Sequence, residues 1–553
     1  MLAWVLMLGC LVVALPPLLT DLGGRDSTHT MENIALLSSQ EVFLRQHGWH
    51  DLPADPDAWL MPTRNGVPRL EKPPLLVWLH LLAWADLEPA TADAALLTHR
   101  ARLVAAAMGL LTIAATFWAG ASLGSLTTAT IAALVLASSW FVQRQGRTAS
   151  YDIHVTAWAT LALAALLWTV HGGRLRLILG GLLAGTALGC AWLTKGPLAL
   201  VLVLLPAAAA AVALPAGRRR FAGATLAAAV VAAAVALPWY VYVYRHVPGG
   251  ESVLLREYRG PQHEAYESPL FYLAVFGLIA PWSLWLVSGL LHPFVGAAGA
   301  TRRRRLVPWL WFLVLVVFFM IPSAKAQRYI LPAMPAAALL AARVLADHRR
   351  LAAAGRPDPG ARWVYVPHYA GLIAASIGGP VALALRLHEP FVVPLQCTTA
   401  AALAAALLGL SVLGLYMHHR RRHPDLGAVL TALWGVLLFT ALWVGYAGAP
   451  SGRHPVRPEA ERFAQVVGAD PVRYVDTVGG PTSLSREYLN EEFMFYSRRI
   501  MPVVTPDALP APNSVWLLVD DTSEAAAVLR AQGRAEMSEP FLTDKDRPMR
   551  LWR

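Results

Sequence analysis

Eight charged residues border long apolar segments instead of sitting in the basic loops: Asp26, Glu71, Lys72, Arg147, Asp152, Lys195, Lys325 and Arg328. A charge at the edge of hydrocarbon is costly, so a converging set of them points to function. Asp26 follows the first apolar segment within a few residues. Burial near lipid raises a carboxylate's pKa and a nearby cation lowers it again. That tuning suits a general base taking a proton from a sugar or other hydroxyl. A solvated juxtamembrane carboxylate is the plainer alternative. Arg147 and Asp152 fall in Gln145-Gly146-Arg147-Thr148-Ala149-Ser150-Tyr151-Asp152, at the mouth of an almost charge-free helix. The helix dipole favours an anion there, so Asp152 reads equally as a helix N-terminal carboxylate.

The cations point to phosphate. In Glu71-Lys72-Pro73-Pro74 the prolines fix the backbone and set the start of a helix, leaving Lys72 at headgroup height. Lys72 reads otherwise as a snorkelling lysine. Lys195, in Leu193-Thr194-Lys195-Gly196-Pro197, lies between two apolar segments at the end where positive charge is disfavoured, and so needs a reason. Lys325 and Arg328, followed by Tyr329, are three apart. On a helix they share a face and could clamp a phosphate, the guanidinium bidentately. His263 and Glu264, with Glu71, could hold a divalent cation, but they lack motif spacing, and a solvated loop histidine is the plainer reading.

The elements that must position these groups are membrane helices. The 553 residues are 56% hydrophobic and 15% charged, where a soluble domain carries about 25% charge. Charge-free runs such as 1–20, 103–143, 221–244, 268–301 and 426–451 read as about thirteen spans of an all-α polytopic membrane protein. Residues 1–20 read as a retained span rather than a cleaved signal. With the N-terminus cytoplasmic, the clusters at Arg174 and Arg176, Arg218–Arg220, Arg302–Arg305, Arg343–Arg350 and Arg420–Arg422 all fall inside. The charge of +11 then belongs to topology and anionic headgroups, not nucleic acid. Cys10, Cys190 and Cys397 lie within apolar segments and offer neither a disulfide framework nor a thiolate metal site.

That topology needs residues 73–85, an apolar run of thirteen, to lie along the interface with Trp78 and Trp84 as anchors. Residues 21–101 then form an ordered external loop. Met31–Arg45 reads as an amphipathic helix, and Asn65-Gly66 as a turn. The membrane part is expected over 1–450. A small extracytoplasmic α/β domain is expected over 451–553, with strands at Val472 and Ser514 and helices over Ser485–Arg499 and Ser523–Gln532.

Taken in order, Asp26, Glu71-Lys72-Pro73-Pro74-Leu75 with Trp78, Arg147…Asp152, Leu193–Pro197, Pro281-Trp282-Ser283 and Ser323–Pro332 resemble the GT-C-fold membrane glycosyltransferases. The branch resembled is the bacterial lipid A aminoarabinose transferases and the protein O-mannosyltransferases. The resemblance implies a polyprenyl-phosphate sugar donor, a lipid, glycan or protein acceptor in the cell envelope, and an active site on the periplasmic side of a bacterial inner membrane. It implies Asp26 and Asp152 as catalytic carboxylates, and Lys72, Lys325, Arg328, Tyr329, Arg147 and Lys195 around the donor phosphate. It also implies a divalent metal at Glu71 and His263. One departure is Asp26-Ser27, where the family commonly has Asp-Glu; the next glutamate here is Glu32. A transporter of a lipid-linked anion is the competing class. It would place charges near the midplane on broken, repeated halves, whereas these lie at segment ends.

Overall fold

The computed structural model describes residues 1–24, 26–27, 30–49, 54–214, 217–247, 267–295, 299–323, 325–355, 359–385, 397–420, 424–445, 456–475, 490–511, 514–542 and 548–553. The chain packs as two units. Residues 1–21 and 105–447 form one, and residues 22–104 and 448–553 the other.

The first unit is helical, and each of the expected spans falls on a helix or helix pair. Among the described residues, eight helices are long and apolar enough to cross a bilayer: Leu2–Leu19, Ala94–Ser122, Tyr151–Thr169, Arg174–Lys195, Arg218–His246, Gln327–Ala353, Thr398–His419 and Pro424–Val444. Pro269–Leu278 and Ser283–Phe294 form a pair bent by 117°. Leu126–Ala137 and Leu198–Ala213 are shorter, and Gly299–Met320 and Pro359–Ala384 complete the set. This is a multi-pass membrane protein.

Close helix contact explains how the site helices hold their positions. Gly185 and Gly189 of Arg174–Lys195 face Val231 and Val235 of Arg218–His246 so closely that an added Cβ would lie 2.5 Å and 2.6 Å from their Cβ atoms. Small residues let backbones approach where apolar burial alone gives no driving force between helices.

The second unit builds on the helix Thr30–His47. The sequence pattern predicts an amphipathic helix, but the buried residues include Glu32, Asn33, Gln40 and Glu41 as well as the apolar ones. Glu41 accounts for part of this. Its carboxylate accepts from the Thr63 hydroxyl at 2.6 Å and from the Asn65 and Gly66 amides at 2.5 and 3.1 Å. Those groups belong to the hairpin of Thr63–Arg64 and Val67–Pro68. Asn65 and Gly66 sit at φ of +53° and +77°, the left-handed pair that a tight two-residue hairpin requires.

Residues 73–85 give the helix Leu75–Ala83, starting directly after Pro74. Nine residues rise about 14 Å, half of a hydrocarbon core, so this helix cannot cross by itself. Trp84 is not an interfacial anchor: it is fully buried and donates its indole N–H to the Leu97 carbonyl at 3.1 Å. Trp78 is partly exposed and donates to the Trp59 carbonyl.

The C-terminal residues form a mixed five-stranded sheet in the order Val503–Val504, Val472–Val475, Trp516–Asp520, Pro548–Trp552, Phe541–Leu542. The first three strands are parallel and the last two antiparallel. The helices Val456–Val467, Glu491–Ser497 and Glu524–Ala531 accompany it. Glu491 pairs with Arg64, and Asn65 exchanges two hydrogen bonds, each 2.7 Å, with the backbone of Met501. The external loop and the C-terminal residues therefore share one core, so the loop belongs with residues 448–553 and not with the spans as the sequence suggests.

Candidate active site

In the membrane unit the site is built on three segment ends. Asp152 is the second residue of the helix Tyr151–Thr169, and its side chain is 3% exposed. Lys195 ends the helix Arg174–Lys195 and sets its ammonium on Asp152 Oδ1; its own side chain is 9% exposed. Arg328, in the 3-10 segment Gln327–Ala333, reaches Asp152 Oδ2 at 3.5 Å and remains 21% exposed. The Tyr329 ring lies beneath both cations, 4.8 Å from the Lys195 nitrogen and 5.1 Å from the Arg328 guanidinium. One carboxylate thus stands between two cations stacked on one aromatic face.

Lys325 and Arg328 do not share a helix. Ala326 between them is extended, so the 3-10 turn begins only at Gln327. The Lys325 ammonium donates to the carbonyls of Pro322 at 2.5 Å and Glu267 at 3.2 Å. Tyr272, which gave no signal in the sequence, donates its hydroxyl to the Ala326 carbonyl at 3.3 Å and so braces the peptide between the two cations. Arg147 is engaged elsewhere. Its guanidinium donates to the carbonyls of Pro17, Leu18 and Asp21 at 2.8, 3.3 and 3.4 Å and lies 4.7 Å over the Trp443 ring. Pro17 and Leu18 are in the last turn of the first helix, where carbonyls lack a partner within the helix, and Asp21 follows it.

In the second unit Asp26 lies in the short coil before the helix Thr30–His47. Its Oδ1 is 3.7 Å from the Arg457 guanidinium, and the Tyr496 hydroxyl stands near enough to favour the ionised carboxylate. The same hydroxyl accepts from the Ser27 amide at 2.9 Å. Burial pushes the Asp26 carboxyl above its ordinary value, and Arg457, Tyr496 and Arg102 pull it partly back.

Beneath it is a buried pair that sequence reading missed. Arg102 holds both Glu32 oxygens, at 2.9 and 3.0 Å, and donates to the carbonyls of Leu22 and Asp26. The Ser27 hydroxyl donates to Glu32 at 3.1 Å. Glu32 therefore ties down the loop at the position where Ser27 departs from the family pattern.

Glu71 and Lys72 sit half-buried in the bend before Leu75–Ala83, with Pro73 and Pro74 buried behind them. His263 and Glu264 lie outside the described residues. Among the described residues no three His, Cys, Asp or Glu side chains gather closely enough to hold a metal ion.

Comparison with known proteins agrees with the resemblance read from the motifs. A family model described as dolichyl-phosphate-mannose-protein mannosyltransferase matches residues 93–252, the stretch that carries Arg147, Asp152 and Lys195. The chain is 32% identical over 223 residues to the undecaprenyl phosphate-alpha-4-amino-4-deoxy-L-arabinose arabinosyl transferase 1 of Pseudomonas fluorescens, covering 38% of this chain and 37% of that relative. The match spans about two fifths of the length of such curated relatives. The fold is that of ArnT from Cupriavidus metallidurans: TM-score 0.71 and 19% identity to its apo state over 99% of this chain and 97% of that one. Against the same protein bound to undecaprenyl phosphate the values are 0.70 and 18%, over 99% and 98%. The archaeal oligosaccharyltransferase AglB of Archaeoglobus fulgidus, in complex with an inhibitory peptide and a dolichol-phosphate, is more distant. Its TM-score is 0.52 at 13% identity, over 94% of this chain and 70% of that one. The architecture is thus the GT-C-like one expected, an all-α membrane part with a small C-terminal α/β region.

Proposed function

We propose that this chain is a membrane glycosyltransferase that moves a sugar from a polyprenyl-phosphate donor to a hydroxyl or phosphate of a cell-envelope acceptor. The observation that carries the reading is Asp152 held between Lys195 and Arg328 on the Tyr329 face. Such a cluster keeps fixed cations where a phosphate can meet them. Transfer breaks the bond between the anomeric carbon and the phosphate oxygen, and the phosphate leaves with the electron pair. Cations aimed at that oxygen lower the barrier. Arg328, Lys72 and Lys195 take this role, with Lys325 in support. The acceptor oxygen attacks from the opposite side, which inverts the anomeric centre, and Asp26 takes its proton. Arg147 braces the first helix and does not touch the donor.

An arabinosyl-type pentose is the sugar favoured by the Pseudomonas fluorescens relative, and undecaprenyl phosphate the carrier favoured by it and by the ligand of the Cupriavidus structure. The external face of a bacterial inner membrane is the favoured location, because the basic loops gather at the other segment ends.

Purified protein in liposomes, given undecaprenyl-phosphate-linked aminoarabinose and lipid A, should release undecaprenyl phosphate in step with acceptor modification. Movement of intact donor across the bilayer with no release would favour the transporter instead. A cysteine at exposed Glu88 should label from outside and one at exposed Arg219 from inside. The reverse pattern would overturn the orientation.

A further inference from the structure

The second unit holds an arrangement that the reaction as drawn does not require. Asp26 needs no partner from the C-terminal residues in order to take a proton. Yet Tyr496 and Arg457, more than four hundred residues away in the chain, both close on it. Tyr496 is 4% exposed and lies in the helix Glu491–Ser497. Arg457 is at the start of Val456–Val467 with its guanidinium 5.8 Å over the Tyr496 ring, and it is pinned from behind by Glu461 at 2.8 Å. The two helices pack through Phe463 and Phe493, whose ring centroids are 5.2 Å apart.

The hydrogen bonds have a direction. The Tyr496 hydroxyl accepts from the Ser27 amide at 2.9 Å, so its single proton is free to go to the Asp26 carboxylate. One oxygen thereby holds the main chain at Ser27 and stands beside the side chain of the residue before it. A hydroxyl anchored by the neighbouring amide and a guanidinium 3.7 Å from Oδ1 restrict how the carboxylate turns about its terminal bond. A lone pair left on the other side is then presented in a preferred direction. A solvated carboxylate would hold no such orientation.

We infer that Tyr496, seconded by Arg457, is the positioning residue for Asp26, fixing the lone pair that receives the acceptor's proton. The C-terminal residues are then part of the transfer machinery rather than an appendage. This inference rests on Asp26 being the base, as proposed above.

The test compares Asp26→Asn, Tyr496→Phe, Arg457→Gln and Arg457→Lys in the full-length protein, each checked for monodispersity and unfolding temperature. Transfer is followed across pH. Asp26→Asn should abolish transfer. Tyr496→Phe should lower kcat by roughly tenfold or more, with donor KM within about twofold, because it does not touch the phosphate cations. Both Tyr496→Phe and Arg457→Gln remove a group that stabilises the ionised carboxylate, so both should move the acid limb of the profile to higher pH. Arg457→Lys should bring that limb back. A Tyr496→Phe protein whose kcat falls while its acid limb stays put is merely short of folded molecules, and that overturns the inference. So does unchanged kcat while Asp26→Asn is inactive, which leaves the base assignment standing. Full transfer by Asp26→Asn overturns both.

Discussion

Lys195 and Asp152 form a buried ion pair between the C-terminal end of one helix and the N-terminal end of another. Each charge sits at the helix end whose dipole favours it. The pair explains why a lysine stands between two apolar segments at the unfavoured end: a carboxylate, itself nearly buried, is waiting for it. Arg328 adds a second cation on the same carboxylate, so among the described residues the cluster keeps positive charge to offer.

Removing one partner of a buried pair costs more than removing both, because the survivor is left as an uncompensated charge. Lys195→Met should therefore destabilise the detergent-solubilised protein by about 3–5 kcal/mol. Adding Asp152→Asn should recover part of that loss while leaving transfer abolished. Unfolding of the two single variants and the double variant gives the coupling energy. Strictly additive losses would mean that the pair contributes nothing.

How much of this was legible in the chain depends on distance along it. The helical segments showed as charge-free runs, and Asp152, Lys195 and Arg328 showed as charges out of place. Their sequence contexts could not say which would pair. The lock of Glu32 by Arg102 was hidden because Arg102 sits at the edge of an apolar run and its partner lies in the external loop. Nothing local marked Tyr496 or Arg457 as neighbours of Asp26. The composition change near residue 450 signals a new environment, but it carries no record of what those residues pack against. Thr30–His47 misled because its polar residues were assigned to water, while Glu41 spends its carboxylate on a hairpin.

Burial raises the Asp26 pKa, and a base works only when ionised. Transfer should therefore fall as pH drops through a midpoint above the usual carboxylate range, and it should be flat on the alkaline side until another group titrates. The log of kcat against pH, in a buffer series at constant ionic strength, measures this. A midpoint at or below that of an exposed aspartate would contradict the buried, partly compensated environment.

Glu41 receives a hydroxyl and two backbone amides, and all three donors need an acceptor. Glu41→Gln keeps the shape but turns one oxygen into a donor, so at least one buried donor is left unmet at a cost of about 1–3 kcal/mol. Burial also raises the Glu41 pKa. A folded-state pKa above the unfolded one contributes stability that is present at low pH and lost as pH rises through the folded value. The destabilisation by Glu41→Gln, measured against wild type, should therefore shrink as pH rises through the folded-state value, because the amide does not titrate. Unfolding midpoints of wild type and of the Gln variant across pH would show this, and parallel curves for those two would rule it out.

Arg147 separates the two roles open to a cation in this chain. Its contacts include the carbonyls of Pro17 and Leu18 at the end of the helix Leu2–Leu19, that of Asp21 just beyond it, and the Trp443 ring. Arg147→Ala should lower the unfolding temperature and the yield of folded protein, because those carbonyls lose charge-assisted partners worth about 1.5–3 kcal/mol each. Donor KM per folded molecule should stay within about twofold of wild type. Arg328→Ala should do the opposite, raising donor KM by tenfold or more while costing less stability, since its guanidinium is partly exposed and Asp152 keeps Lys195. Both variants are measured in one assay with active protein counted by bound donor at saturation. A rise in donor KM for Arg147→Ala equal to that for Arg328→Ala would return Arg147 to the phosphate.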